Sequence, residues 1–466
     1  MEPRVFPSKD GHRLASLHSS TLRECARDFR QSVTVSAPRL YRRKTGDMNT
    51  LKLRLLRNFW ITWVTTMVLA CFSNAVAQAS YKVTDLGVLQ NGGFGCAMSV
   101  NNHGWTEAQY GVLDPSGNLV EGRVGINVDG LKIDLGTLGG LNSFMWGYAG
   151  FNERGEAVGL AETAVPDPNG EDICGFGTGL TCRPFLWQHG HMRSLPTLGG
   201  NNGWANAINN HGQIAGFAEN TTVDSGCPPY RIELPVLWEK GKAQPLPTVG
   251  TDPDGIAYGL NDQGQAVGYS GTCSAALHAV LWENGSASQL PDLGFPRSNI
   301  AFSINDQGQI VGQVRSADGT TKYATLWQNG TMINLPLVPG DFGAYASGIN
   351  NLGQVVGSGI DSNFNFDRAF IWQNGVLTDL NTLFPASSNL YATMAQAIND
   401  RGQISGMATV LSGPHAGEVH AFLATPLYES VGKSVAEVAR THPKITLPAN
   451  VGKQLLQRFG PGRFER

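Results

Sequence analysis

Short apolar and polar runs alternate along most of the chain, and they return in a fixed order. Each period holds a small-residue apolar run, the phrase Asn-x-x-Gly, a second apolar run, an aromatic-rich run that ends in a Gly turn, and a Leu- and Gly-rich run. Apolar runs of roughly 4–8 residues bounded by Gly, Asn and Asp predict β-strands joined by tight turns. The pattern therefore predicts four short antiparallel strands per period, designated a, b, c and d in chain order.

The phrase between strands a and b sets the period. Its first Asn recurs every roughly 44–57 residues, a spacing typical of repeat architectures. A type I turn favours Asn at its first position and Gly at its fourth, where a left-handed Gly starts the returning strand as a bulge. The Asn side chain can also bond the backbone two residues on, so turn structure alone explains its recurrence. The copies place this residue at Asn101, Asn152, Asn209, Asn261, Asn305, Asn350 and Asn399.

Strands c and d are joined by a second kind of turn. Strand c runs into Asn-Gly in LWENG at 281–285 and in IWQNG at 371–375. Asn-Gly is the strongest short-range hairpin signal, because both central residues of a type I′ turn need a positive φ. Strand c is apolar on both faces, as a strand sandwiched between neighbouring sheets requires. A small residue precedes most of the turn asparagines by four positions (Tyr148 is the exception), which suits a crowded innermost strand.

Four strands per period and seven periods predict an all-β fold, a seven-bladed β-propeller of four-stranded antiparallel blades. The first strand, at 81–87, has the character of d with no a, b or c before it. The last strand, at 420–425, has the character of c with no d after it. We therefore expect the N-terminal strand to pair with the last blade, a closure that removes exposed sheet edges.

The two ends of the chain differ from the repeats. We interpret 1–47 as a non-structural leader or an over-extended start, 48–77 as a signal peptide, 81–426 as the propeller and 427–466 as a C-terminal tail. The signal peptide rests on a basic segment from Lys52 to Arg57, an apolar run at 59–70 and a small-x-small cleavage site at 75–77. Two alternatives stay open: a membrane anchor, for which the apolar run is short, and a lipoprotein anchored at Cys71.

An exported chain permits disulfides, and the cysteines of the repeat region fall into pairs. Cys174 and Cys182 bracket one insertion, while Cys227 and Cys273 occupy equivalent insertions between strands b and c of successive repeats. We predict a disulfide in each pair. Neither pair has CxxC spacing, so no metal and no other cofactor is expected.

The composition of the chain limits the kinds of partner that it is expected to bind. The chain has 466 residues, of which 15% are charged and 58 are Gly, and its formal net charge is −3. Such a chain is globular and turn-rich, and its charge argues against a nucleic-acid partner. Beyond the predicted signal peptide, no stretch is apolar for long enough to cross a bilayer. We expect a monomer without a stable membrane span after processing, extracellular or at the cell surface, with the periplasm possible.

The recurring phrases resemble the HAF repeat of bacterial extracellular proteins. The resemblance rests on HAFLA at 420–424, on DLGTLGG at 134–140 and on AIN-x-x-GQ-x-x-G phrases such as 397–406, and it covers about residues 81–425. The copy at 122–130 is degenerate, and only 278–279 and 420–422 keep the His-Ala element. The resemblance implies secretion or surface display and brings no catalytic residues.

Because successive strands run in opposite directions, the loops that join them lie at two opposite rims of the sheets. The tight a–b and c–d turns share one rim, and the longer b–c and d–a connections share the other, which we call the long-loop rim. Loops on a rigid scaffold concentrate function, so the long-loop rim is the predicted site. Its candidate ligand-binding residues are Trp146, Trp204, Asp252, Asp254, Asp341 and Tyr391.

Two functions fit this rim. The first is a non-catalytic protein that binds an extracellular glycan, protein or envelope component. The second is a propeller hydrolase or lyase that acts on polysaccharide with paired carboxylates. No catalytic motif is present in the sequence, and acidic residues commonly solvate loops, so the sequence favours binding and leaves catalysis open.

Overall fold

The computed structural model describes residues 80–89, 93–113, 119–145, 147–273, 275–362 and 365–427. Within these ranges the chain forms strands β1 to β28 and one short 3-10 turn, with no α-helix. The predicted leader, the signal peptide with Cys71, and the tail from residue 428 onward lie outside the described residues. No helix in the described ranges is long and apolar enough to cross a membrane.

The strands assemble into antiparallel sheets, mostly of four, as the repeat pattern predicts. Five sheets take four consecutive strands each: β6–β9, β10–β13, β14–β17, β18–β21 and β22–β25. In order, the strands are β1 (Ser80–Gly87), β2 (Gly93–Val100), β3 (Thr106–Leu113), β4 (Leu119–Val128), β5 (Leu131–Asp134), β6 (Gly139–Phe144), β7 (Ala157–Pro166), β8 (Leu180–Gln188), β9 (His191–Ser194), β10 (Gly203–Ile208), β11 (Ile214–Val223), β12 (Arg231–Glu239), β13 (Lys242–Pro245) and β14 (Asp254–Leu260). They continue as β15 (Ala266–Thr272), β16 (Ala275–Glu283), β17 (Ser286–Gln289), β18 (Ile300–Ile304), β19 (Ile310–Arg315), β20 (Lys322–Gln328), β21 (Thr331–Asn334), β22 (Gly343–Ile349), β23 (Val355–Ile360), β24 (Phe366–Gln373), β25 (Val376–Asp379), β26 (Leu390–Ile398), β27 (Ile404–Val410) and β28 (Val419–Leu427).

The remaining strands form a sheet from both ends of the repeat region. β26, β27 and β28 pair in order, and β1 pairs antiparallel with the free side of β28. Tyr81 faces Pro426 and Asp85 faces Phe422, so the predicted pairing of these two segments is present. A single parallel bridge between Phe94 and Val419 joins these strands to β2–β5, which pair in order, so this sheet has eight strands.

Burial falls from the first strand of a sheet to the fourth. Every residue of β14 is buried, whereas β13 is exposed apart from a half-buried Ala243. The hydrophobic core lies between the faces of successive sheets. Val158 and Leu186 of one sheet, for example, pack with Val236 of the next. The two-sided apolar pattern of strand c reflects this packing, because each sheet is covered on both faces.

The turns follow the chemistry that the sequence predicts. In the a–b turn of β18–β19, the amide of Gly308 donates to the carbonyl of Asn305 over 3.1 Å, and Gly308 has a φ of +72°. In the c–d turn of β16–β17, Asn284 and Gly285 have φ values of +51° and +76°. These are the conformations that type I turns with a bulge and type I′ turns require, and Gly and Asn adopt them at the lowest cost.

Both predicted disulfides are present. Cys174, in the loop between β7 and β8, bonds Cys182 of β8, with their Cα atoms 5.9 Å apart. Cys227 bonds Cys273 over a Cα separation of 6.3 Å and so links the loop β11–β12 to the end of β15 in the next sheet. The remaining cysteine of the described ranges, Cys96, is buried, and burial raises its thiol pKa to about 12. Two disulfides fit an oxidising, extracellular or periplasmic location.

Candidate functional site

The a–b turns meet through their asparagines. In each turn the side-chain oxygen of the Asn accepts backbone amides of its own turn; for Asn305 these are the amides of Gln307 and Gln309. Its side-chain amide donates to the backbone carbonyl of Asn350, the matching residue of the next sheet, over 2.9 Å. The same link recurs from sheet to sheet: Asn101 to Asn152, Asn152 to Asn209, Asn209 to Asn261, Asn261 to Asn305, Asn350 to Asn399, and Asn399 to Asn101. We call this the asparagine ring.

A second ring is formed by the residue that follows each of these asparagines. Its side-chain oxygen accepts the backbone amide of the matching residue in the preceding sheet, as when the Asp262 amide donates to Asp306 over 3.0 Å. The last link, from the Asp400 amide to the Asn102 side chain, spans 298 residues of sequence at 2.9 Å. The members, which we call the acidic ring, are Asn102, Glu153, Asn210, Asp262, Asp306, Asn351 and Asp400.

The two rings line a cavity of about 330 Å³. Its deeper wall is apolar and includes Ile208, Leu260 and Ile304, which immediately precede ring asparagines. Four carboxylates belong to its lining, and no Lys or Arg does among the described residues. The cavity therefore presents hydrogen-bond acceptors and a negative potential to a ligand, over an apolar floor.

The acidic ring is fixed before any ligand arrives. The side-chain amide of Asn351 donates to Asp306 over 2.9 Å and to Asp400 over 3.1 Å. The side-chain amide of Asn210 donates to Asp262 over 3.0 Å. Each carboxylate is thus oriented by a backbone amide on one oxygen and, in these three, by a neighbouring side chain on the other. The carboxylates that a ligand would contact are already ordered in the unbound protein, which lowers the entropic cost of binding.

Aromatic side chains fill the space beyond the cavity. Phe302 packs edge-on against Tyr148 and Tyr258, with ring centroids 5.3 and 5.8 Å apart. Tyr258, Phe302 and Met98 belong to the largest buried cluster, which continues toward the long-loop rim. The cavity is therefore reached from the side of the tight turns, opposite the rim on which the sequence places the site.

The predicted site residues of the first long loops are engaged within the protein. Trp146 lies outside the described residues, and Trp204 is buried against Phe144 with a centroid distance of 5.3 Å. Asp252 accepts hydrogen bonds from Ser270 and from His278 at 2.6 and 2.8 Å. These contacts hold the loop before β14 against β15 and β16.

The surroundings of Asp254 differ from those of Asp252. It is buried and accepts the backbone amide of Glu233 over 2.9 Å. Burial raises the pKa of the Asp254 carboxyl to about 7, against which the Glu233 hydrogen bond acts. A carboxyl with such a pKa can hold a proton near neutral pH, as a general acid does.

The last two predicted residues meet around Arg368. The guanidinium lies 3.0 Å from Asp341 and 3.2 Å from Asp367, and both carboxylates are almost fully buried. Tyr391 is buried in the same region; its pKa is raised by burial and, next, by Asp379. The structure thus brings Asp341 and Tyr391 together, at a buried ion pair that joins β24 to the loop before β22.

A further acidic cluster surrounds Asn202. The Asn202 side-chain amide lies 2.7 Å from Asp167, 3.2 Å from Glu171 and 3.0 Å from Glu219. Burial raises the pKa of Glu219 to about 7. Glu162 makes the matching contact with Asn142 one sheet earlier, so the Glu–Asn pair braces the loop between strands d and a.

Comparison with known proteins leaves the family open. No protein-family model matches the chain, and no curated protein does. Among solved structures, a gluconolactonase from Xanthomonas campestris is similar at 11% identity with a TM-score of 0.32, covering 76% of this chain and 94% of its own. A fungal alcohol oxidase with copper is similar at 11% identity with a TM-score of 0.40, over 77% of this chain and 79% of its own. A lectin from Aleuria aurantia is similar at 10% identity with a TM-score of 0.30, over 65% of this chain and all 100% of its own. At these identities and scores the similarities assign no activity and no ligand to this chain.

Proposed function

We propose that the sheets are the blades of a closed seven-bladed β-propeller. The support is that both hydrogen-bonded rings return to their starting sheet after seven links, through Asn399 to Asn101 and through Asp400 to Asn102. An open stack of sheets would leave the first and last turns unlinked. In this proposal β1 is the outer strand of the blade that β26 begins, so the two ends of the repeat region interlock.

On this scaffold, the chain acts as an exported, monomeric binding protein of the HAF-repeat type. The two disulfides support an oxidising location, and the predicted signal peptide at 48–77 would direct export. Its ligand is extracellular, and the function is non-catalytic.

In this proposal the acid-lined cavity is the ligand-binding site. The observation that carries this assignment is the acidic ring, which is held in place by backbone amides around a concave space of about 330 Å³. A concave site with a few fixed polar groups is the usual form of a small-ligand pocket. Its acceptors match a ligand with several hydrogen-bond donors, and we assign it to the hydroxyls of a glycan. The cavity thus replaces the long-loop rim as the first site to test.

A hydrolase is the second candidate, and one observation favours it. Asp254 and Glu219 sit at the long-loop rim, and the pKa of each is raised to about 7 by burial. That value suits a general acid at neutral pH. Both side chains are buried, however, and each is bound to backbone amides of its own surroundings, so neither meets a substrate in this conformation.

A glycan array followed by calorimetry tests the binding proposal. The matched variant is D262N/D306N/D400N, because Asn already occupies three positions of the same ring and keeps the oxygen that accepts the backbone amide. We expect an unchanged fold and at least a tenfold loss of affinity. The control is E121Q/E239Q/E283Q, which neutralises three carboxylates outside the ring.

Three outcomes separate the alternatives. Loss of binding in the ring variant alone supports the cavity. Full binding in the ring variant contradicts it and returns the site to the long-loop rim. Release of reducing ends from a polysaccharide, abolished in D254N or E219Q, would make the protein a hydrolase.

A further inference from the structure

The last b–c loop brings together two histidines and a carboxylate. His415 and Glu418 lie in the loop between β27 and β28, and His420 is the second residue of β28. The Nδ1 atom of His415 is 3.2 Å from each carboxylate oxygen of Glu418. The Nε2 atom of His420 is 3.2 Å from Glu418 Oε2, and one ligand atom from each of the three residues lies within 4.8 Å of the others.

Two of the three separations match the edges of a zinc coordination sphere. Zinc binds His nitrogen and carboxylate oxygen at about 2.0–2.2 Å in tetrahedral geometry, which places neighbouring ligand atoms about 3.3 Å apart. The measured 3.2 Å separations agree with that value for both His–Glu edges. Small rotations of the exposed His415 ring, whose side chain is 54% accessible, suffice to bring its nitrogen to the ion.

The other nitrogen of His420 is held by a second carboxylate. Its Nδ1 atom lies 2.9 Å from both oxygens of Asp85, which stands on β1. Metal-binding histidines commonly donate their second ring N–H to a carboxylate, which fixes the tautomer and the ring orientation. Asp85 therefore leaves Nε2 of the neutral imidazole unprotonated and directed at the cluster.

We propose that His415, Glu418 and His420 form a Zn²⁺ site, with Asp85 as the positioning residue behind His420. Three protein ligands leave a fourth position open to water or to a ligand at the long-loop rim. The site also joins the first and the last strand of the repeat region, so bound zinc stabilises their pairing.

The fourth repeat offers an internal comparison. His278 occupies the same position in β16 as His420 does in β28, and it bonds Asp252 in the same manner. Among the described residues, that His–Asp pair has no second histidine and belongs to no group of three metal-ligating side chains. The pairing of the repeat histidine with Asp is thus common to the two repeats that keep this histidine, whereas His415 and Glu418 are particular to the last loop.

Protonation competes with the metal. Without an ion, the carboxylates favour the charged imidazole, and the pKa of His420 is raised, first by its hydrogen bond with Asp85 and against burial. Zinc displaces that proton on binding. The experiment is therefore set above neutral pH.

Calorimetry on the untagged full-length protein, stripped with EDTA and titrated with ZnCl₂ at pH 7.5, tests the proposal. We expect one Zn²⁺ per chain with micromolar or tighter affinity, and a higher melting temperature with zinc than with EDTA. H415A and E418Q should each weaken binding more than tenfold, and D85N should weaken it about 10–100-fold. H278A is the matched control and should bind as the unaltered protein does.

The variants are chosen so that misfolding is visible. His415 is exposed, so H415A should melt close to the unaltered protein in EDTA and differ from it in zinc; Glu418 is half-buried and contacts both histidines, so E418Q is compared with its own melting in EDTA. Absence of binding by the unaltered protein, or equal binding by H415A, would overturn the site. A structural ion-pair network alone would give the first result, with no zinc-dependent rise in melting temperature.

Discussion

Each turn asparagine uses both ends of its side chain. The oxygen of Asn305 orders its own turn through the amides of Gln307 and Gln309, while the nitrogen donates to Gln309 and to Asn350 of the next sheet. Turn chemistry predicts the first role from Asn-x-x-Gly alone. The second role depends on the distance between neighbouring sheets, which no single repeat encodes.

The first prediction concerns this residue. Asn305→Ala removes four hydrogen bonds and leaves the carbonyl of buried Asn350 with only the Gly353 amide as its donor, so we expect a loss of about 2–4 kcal/mol in the free energy of unfolding. Urea denaturation measures it. The control is Asn374→Asp, at a c–d turn where the first sheet already has Asp129 in the same positive-φ conformation. A loss no larger than the control's would show that the ring contributes nothing to stability.

Glu107 is a buried carboxyl in the degenerate first repeat. It is 0% exposed, and neither of its oxygens has a hydrogen-bond partner within the described part of the chain. Burial raises its pKa well above the usual value. Matching positions in later sheets hold Val158, Val267 and Val311, so this site belongs to the apolar core between sheets.

Glu107→Val should therefore stabilise the protein. The folded state holds the proton to a higher pH than the unfolded state, so the Glu107 protein loses stability as the pH rises above about 4.5 toward the raised pKa. We expect a gain of about 1–3 kcal/mol at pH 8 that shrinks toward pH 4. Urea denaturation at both pH values measures it. An equal effect at the two pH values would show that Glu107 does not titrate as its burial requires.

At the scale of elements, the sequence predicts strands, turns and pairing well. Alternation and Asn-Gly place the hairpins, and the unpaired d-like strand at 81–87 predicts the pairing of β1 with β28. The predicted site residues are less informative, because residue type alone does not report burial: Trp204 and Tyr391 face the core. The sequence also does not predict the His415 cluster, because the contact that orients His420 comes from Asp85 at the other end of the repeat region.

Removal of the closing strand tests that pairing. Deleting residues 79–87 takes away the buried Tyr81 and the hydrogen bonds of β1, and it exposes the edge of β28. We expect a loss of about 3–6 kcal/mol and aggregation on concentration. Truncation after residue 428 serves as the control and should cost much less. Unchanged melting and solubility of the shorter chain would contradict the pairing.

The two disulfides should differ in how much they stabilise the folded protein. The bond between Cys227 and Cys273 spans 46 residues and ties neighbouring sheets, whereas Cys174–Cys182 spans 8 residues between one loop and the strand that follows it. Loop-closure entropy gives about 4 kcal/mol for the longer span and about 2.5 kcal/mol for the shorter. Melting of C227S/C273S against C174S/C182S compares them, and a greater loss in the second variant would contradict this order.

At the scale of the whole molecule, both rings depend on the number of repeats. The link from Asn399 to Asn101, whose donor and acceptor are 298 residues apart, supports the proposed arrangement of seven turns around one axis. In the proposed propeller the same closure shapes the cavity, whose lining includes Glu153, Asp262, Asp306 and Asp400. Their recurrence after the turn Asn resembles ordinary turn chemistry in the sequence, so their convergence is visible only in three dimensions.

The most direct test is a crystal structure of the secreted protein that resolves the a–b turns. The account predicts seven four-stranded sheets around one axis, with the Asn399 side-chain amide within hydrogen-bonding distance of the Asn101 carbonyl, as in the 2.7 Å contact described above. An open arrangement of sheets, a different number of sheets, or Asn399 and Asn101 far apart would contradict it.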